Sequence, residues 1–191
     1  MPRDPIVATS KLLSYVLRHR PDSIGLALDT QGWAAVDDLL AHLGASGHVV
    51  DRALLERVVA ENDKQRFAFS ADRTRIRASQ GHSVAVDLAL DPTAPPDVLY
   101  HGTASRFLKS ILASGLRAAG RHHVHLSADA DSARRVGARH GFPAVLRVDA
   151  ARMRDDGIVF YLSDNGVWLT GVVSPRYLTM ADAGITGRVG G

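Results

Sequence analysis

The chain has 191 residues, 46% of them hydrophobic, with 23 Lys or Arg against 20 Asp or Glu for a net charge of +3. That mixture excludes a disordered or fibrous chain, and no apolar run approaches the roughly 20 residues of a membrane helix. Cysteine is absent, which excludes disulfides and thiolate zinc sites, and the Met1-Pro2-Arg3-Asp4 start lacks a signal-peptide core, so a cytoplasmic protein without membrane partners is expected.

The first half reads as a small helix-rich unit. Thr9 or Ser10 can cap a helix with Leu12, Leu13, Val16 and Leu17 on one face, and Pro21 stops it by removing a donor and pushing Arg20 out of the α region. A second helix is expected from Val36, burying Leu39, Leu40 and Leu43. A third follows the cap Asp51, with Leu54, Leu55, Val58 and Val59 as its stripe. Phe67–Ser70 and Thr74–Arg77 read as two strands across an Ala-Asp-Arg turn. Three short helices and a hairpin suggest a winged-helix-like module over residues 1–92.

Prolines 92, 95 and 96 mark a linker, since they resist both helix and central strand. Beyond it, residues 93–191 read as a second lobe of short strands with interspersed helices. Strands are expected at Val98–Tyr100, Val124–Leu126, Ala144–Val148, Ile158–Leu162 and Val167–Leu169, and helices at Ser105–Ala113 and Asp129–Ala138. The glycine-rich tail 184–191 is expected to fray. The whole is an α+β chain, with small mixed or antiparallel sheets in the second lobe.

Charge is unevenly placed. Residues 1–90 hold 11 basic and 11 acidic residues, whereas His101 to Arg147 holds eight basic residues, only Asp129 and Asp131 as acids, and five histidines. Such an excess suits an anionic ligand, although an Arg-rich solvated face would look the same. Four segments carry candidate chemistry. Arg18-His19-Arg20 ends the first helix, where cations also complement the helix dipole. In Asn62-Asp63-Lys64-Gln65-Arg66-Phe67, Arg66 can present a bidentate fork to a phosphate. His101-Gly102-Thr103 reads as a tight turn after a strand, where glycine admits a ligand to the backbone and the flanking side chains can bond ribose hydroxyls. In Arg121-His122-His123-Val124-His125-Leu126-Ser127, strand alternation puts His123 and His125 on one side and His122 on the other. No carboxylate or cysteine stands near these histidines to complete a metal set, so no metal is expected.

Taken in order, SKLLSYVLRHRP, GLALDTQGW, NDKQRF, IRASQGHSV, LYHGT, RHHVHLS and DGIVFYLSDNGVWLT resemble the RNA 2′-phosphotransferases, from about Ser10 to Leu178. The resemblance implies a winged-helix RNA lobe followed by an ADP-ribosyltransferase-like lobe that holds NAD as co-substrate, acting on 2′-phosphorylated RNA. It also implies catalytic roles for Arg18, His19, Arg66 and Arg121, and NAD contacts from His101, Gly102, Thr103, His125 and Ser127. Lys64, Gln80 and His82 are carried over as substrate-binding residues, with Ser79 standing where the family's pattern has Asn. In the implied reaction the RNA 2′-phosphate displaces nicotinamide from C1″ of NAD. The ribose O2″ then attacks phosphorus, releasing 2′-hydroxyl RNA and ADP-ribose 1″,2″-cyclic phosphate. His19 is the candidate proton carrier, and His125 shapes the nicotinamide pocket.

A phosphate nucleophile needs no base. The chain's only glutamates are Glu56 and Glu61, and the glutamate typical of protein-directed ADP-ribosyltransferases is replaced by the apolar Val167. The rival readings are an ADP-ribosyltransferase that modifies protein or terminal nucleic-acid phosphates, and a non-catalytic NAD-sensing winged-helix regulator. A monomer is expected.

Overall fold

The structure, a computed structural model, describes residues 4–62 and 64–181; the glycine-rich tail lies outside them. The protein has an α+β fold whose chain divides into two compact units. One comprises the first 91 residues with Gly120–His122 and Ser163–Gly166, the other Pro92–Ala119, His123–Leu162 and the chain from Val167.

In the first unit, helix α1 runs Pro5–Arg18. Its cap is Asp4, whose carboxylate accepts from the Ile6 N–H at 2.9 Å, and Pro5 fits the first turn. The expected cap, Thr9 or Ser10, is therefore one turn too late: Thr9 is buried inside the helix. The run Asp4-Pro5 is the better start signal, because proline has the helical φ and lacks only an N–H that would be unpaired there.

A 3-10 turn at Pro21–Ile24 ends on Gly25 at φ +71°. The short strand β1 (Ala34–Ala35) leads directly into α2 (Val36–Ala45), and α3 (Arg52–Ala60) begins behind Asp51, which accepts from the Leu54 N–H at 2.7 Å. Strands β2 (Phe67–Phe69) and β3 (Arg75–Ala78) form the expected hairpin, and β1 joins it, giving an antiparallel sheet in the order β1-β3-β2 with Ala34 opposite Ile76 and Phe67 opposite Ala78. Two residues are too few for alternation to announce β1. The apolar stripes of the helices and Phe67, Ile76 and Ala78 form one core, where each fully buried leucine or isoleucine contributes roughly 1.5–3 kcal/mol.

The second unit holds two three-stranded antiparallel sheets. Strand β4 (Val98–Ala104) pairs along its full length with β6 (Pro143–Asp149), and β9 (Leu178–Met180) adds to the far edge of β6. In the other sheet, β8 (Trp168–Thr170) lies between β5 (Val124–Leu126) and β7 (Phe160–Leu162). A single bridge between Tyr100 and Ser127, with reciprocal N–H to carbonyl bonds of 2.9 and 2.8 Å, ties β4 to the residue after β5.

Helices α4 (Leu108–Ser114), α5 (Ala130–Gly137) and α6 (Ala150–Asp155) complete the unit. Neither α6 nor β9 was expected, since each is too short to show a period. Leu99, Leu126, Leu146, Met153, Phe160 and Tyr177 form its core. No helix among the described residues is long and apolar enough to cross a membrane.

Candidate active site

Three of the four expected catalytic residues reach one neighbourhood of the first unit from distant parts of the sequence, and Arg121 joins them because Gly120–His122 belongs to that unit. Arg18, on the last turn of α1, is largely buried, and its guanidinium is pushed down to about 10, first by loss of solvent and then by the positive charges of Arg66 and Arg121. Its Nε is buried with no hydrogen-bond partner, and its Nη2 reaches the Arg66 carbonyl at 3.4 Å. No carboxylate among the described residues pairs with it. Three guanidinium groups brought into one neighbourhood, with the desolvated Nε of Arg18 left over as a donor, make a place where an anion would be stabilised.

Polar anchors hold the cluster. The Asn62 side chain accepts from Arg66 Nη1 at 3.0 Å and from the Lys64 N–H at 3.1 Å, and donates to Ser10 Oγ at 3.1 Å. It thereby ties the Arg66 guanidinium and the Lys64 backbone to α1. Asn165 donates to the Lys64 carbonyl at 2.9 Å. The Ser79 N–H donates to the Arg66 carbonyl at 2.9 Å, and its hydroxyl to that of Gln65 at 2.9 Å. Serine at 79 is thus a backbone clamp. Lys64 is exposed and Gln80 half-buried, and Gln65, Phe67, Asn62, Ser79 and Asp164 line an open recess flanking Arg66.

His19 is half-buried, and its imidazole is held below the ordinary value by burial and by the charges of Arg18 and Arg121. Its Nδ1 lies 2.9 Å from Ser83 Oγ. His82 is a different case. It is 3% exposed, and burial together with Arg18, His122, His19 and Arg77 takes it down to about 4. Its Nε2 has no partner, and a side chain on Gly32 (φ +80°) would come within 3.3 Å of it. A residue this buried supports the site from beneath. Asn62 and Ser83 were missed as functional positions. The Asn-x-Lys and Gly-His-Ser sequences that carry them were signals only in hindsight, since each needs its distant partner to acquire meaning.

In the second unit, His101, Gly102 and Thr103 stand in the middle of β4, opposite Leu146, Val145 and Ala144. They form no turn, which corrects the sequence reading. A side chain at Gly102 would put its first carbon 1.6 Å from the Ala133 carbonyl oxygen, and one at Gly137 would lie 2.6 Å from that of Thr103. The missing side chain at Gly102 therefore admits helix α5 to the strand.

On the opposite face, His101 Nδ1 lies 3.1 Å from the His125 carbonyl oxygen. A carbonyl only accepts, so Nδ1 carries the proton and Nε2 offers a lone pair. Burial lowers the ring's affinity for a second proton. His125 sits in β5 opposite Leu169, Ser127 is held by the Tyr100 bridge, and the Thr103 hydroxyl group is buried. His123 packs edge-on against Tyr161 at 5.5 Å, and His122 belongs to the first unit, so the alternation expected of these histidines is confined to Val124–Leu126. No group of three His, Cys, Asp or Glu among the described residues is arranged to hold a metal ion.

The family model described as "RNA 2'-phosphotransferase, Tpt1 / KptA family" matches residues 4–171. A probable RNA 2′-phosphotransferase of Agrobacterium fabrum is 62% identical over 174 residues, covering 91% of this chain and 94% of that protein. Another of Acaryochloris marina is 53% identical over 170 residues, covering 89% and 94%. A third, of Hahella chejuensis, is 54% identical over 173 residues, covering 91% and 93%. With a match over most of its length and relatives this similar, the chain belongs to the RNA 2′-phosphotransferase family, a family of transferases.

Proposed function

We propose that the protein removes an internal 2′-phosphate from RNA by transferring it to the ADP-ribose of NAD. The observation that carries this reading is the gathering of Arg66 and Arg121 near the partly desolvated guanidinium of Arg18, whose buried Nε has no hydrogen-bond partner among the described residues. A 2′-phosphate is an anion that such a cluster would stabilise and is itself the nucleophile, so the site needs no general base for the first bond.

In this reading the first unit, read as winged-helix-like on the support of its three helices and three-stranded sheet, binds the RNA. The arginines then offset the repulsion between two anionic substrates and stabilise charge at phosphorus. His19 moves one proton: it takes it from O2″ as that oxygen attacks phosphorus, or delivers it to the RNA 2′-oxygen as that bond breaks. Lys64 and Gln80 lie along the RNA path, and His82 underpins Arg18.

The second unit, read as ADP-ribosyltransferase-like, is the proposed NAD lobe. Its residues suit the co-substrate. His101 Nε2 is a fixed acceptor for a ribose hydroxyl, and Thr103, His125 and Ser127 add polar groups on the neighbouring backbone. The assignment requires no metal, and we propose an enzyme that works in the cytoplasm as a monomer.

The test is direct. The protein is incubated with NAD and an RNA bearing one internal 2′-phosphate, and the products are resolved. Loss of the phosphate with formation of nicotinamide and ADP-ribose 1″,2″-cyclic phosphate is expected. ADP-ribose retained on the acceptor at completion would replace this reading with an ADP-ribosyltransferase of terminal phosphates or protein. Unchanged RNA and NAD would end it.

A further inference from the structure

We infer that Ser83 is the positioning residue for His19, engaging Nδ1 so that Nε2 is the nitrogen that gains and loses the proton in phosphate transfer. The inference rests on the phosphate-transfer reading and assigns a role that the reading leaves open.

The geometry begins with the backbone. Helix α1 ends at Arg18, and the carbonyls of its last turn have no partners within the helix. The Ser83 N–H donates to the Arg18 carbonyl at 2.9 Å, and the Val84 N–H approaches the same oxygen at 3.4 Å. Gly81, at φ +87°, makes the bend that lays this segment over Arg18, where an added side chain would come within 3.8 Å of Nη1. A segment pinned to the carbonyl of residue 18 delivers its hydroxyl to the ring of residue 19, and the Nδ1–Oγ distance is 2.9 Å.

The choice of a hydroxyl has chemical consequences. Serine oxygen can accept from Nδ1–H in both the neutral and the charged ring, and with Nδ1 as the donor one orientation serves both halves of a proton transfer at Nε2. A carboxylate would orient the ring equally well, but its charge would hold the proton on the imidazolium. A neutral partner avoids that, and burial together with the charges of Arg18 and Arg121 favours the ring's neutral form, while the neighbouring His82 is itself uncharged at neutral pH. The ring is therefore held in place and releases its proton readily.

The experiment compares wild type with Ser83→Ala and Ser83→Thr. Both variants keep the backbone bond to Arg18. Ser83→Ala is expected to lower kcat for RNA 2′-phosphate removal about 10-fold with KM for NAD and RNA unchanged, to let ADP-ribosylated RNA accumulate transiently, and to change the pH dependence of kcat. Ser83→Thr, which restores the hydroxyl, should recover most of the rate. The 15N shifts of the His19 ring, read on the protein without substrates, should report protonated Nδ1 in the neutral wild-type ring and a mixture of tautomers in Ser83→Ala. Unchanged ring shifts in Ser83→Ala, or a Ser83→Thr variant no faster than Ser83→Ala, would overturn the assignment. The shifts decide the point even where the product assay fails, so the two failures are distinguishable.

Discussion

The two units build their polar sites in opposite ways. In the first, residues 18, 66, 79–83 and 121 come together through folding, and side-chain amides and hydroxyls hold them. In the second, His101 and Thr103 share one strand and are fixed by its ladder, with the His101 ring committed to a backbone carbonyl. The first arrangement gathers charge that can be altered without dismantling the core. The second makes the site and the core nearly the same object. Substitutions in the first unit should therefore remove activity before stability, and in the second stability before activity.

The most severe test falls on β4. Gly102→Val would drive a side chain into the Ala133 carbonyl, and neither backbone can yield, so a loss of more than about 4 kcal/mol is expected in urea unfolding. A folded, active Gly102→Val protein would break the contrast. Arg18→Ala is the counterpart. Phosphate transfer should fall by about 100- to 1000-fold while the unfolding midpoint moves little, because the Arg18 carbonyl still accepts from Ser83. Equal losses of both would mean that the cluster is structural.

The third expectation concerns acid. His82 titrates near 4 in the folded protein against 6.5 ordinarily, so the unfolded chain takes up a proton that the folded one refuses. Stability is complete above pH 6.5 and falls as pH drops toward 4, by at most about 3 kcal/mol from this residue at about 1.4 kcal/mol per unit. Unfolding measured across that range should show a shallower slope in His82→Gln. Last, His19→Ala should slow the second chemical step about 100-fold, so that ADP-ribosylated RNA accumulates in a single-turnover course. Equal loss of both steps would reassign His19 to binding.

The same contrast governs what could be read in advance. The helices of the first unit were legible because apolar periodicity and Asp51 mark them, and Val124–Leu126 was legible because apolar and polar residues alternate within it. The cap of α1 was misplaced because Thr9 and Ser10 are good capping types, and only the buried position of Thr9 rules it out. His101-Gly102-Thr103 looked like a turn because glycine has two uses, conformational freedom and absence of bulk, and a sequence does not distinguish them. Resemblance to a family named Arg18, His19, Arg66 and Arg121. Their anchors, Asn62 and Ser83, depend on partners 52 and 64 positions away, Ser10 and His19, and no local pattern carries that information.

The short stretch Gly120–His122 has a further consequence for how this protein can be divided. The chain passes between units at residues 91–92, 119–120, 122–123, 162–163 and 166–167. A gene fragment ending at the proline-rich segment would therefore yield a first unit without Arg121 and without Asp164, the ion-pair partner of Arg77 at 3.0 Å. Neither unit is one continuous stretch of chain. Domain shuffling, split reporters or an isolated RNA-binding fragment would each require the excised loops to be grafted back, and a chain laced together in this manner is inherited and engineered as a whole.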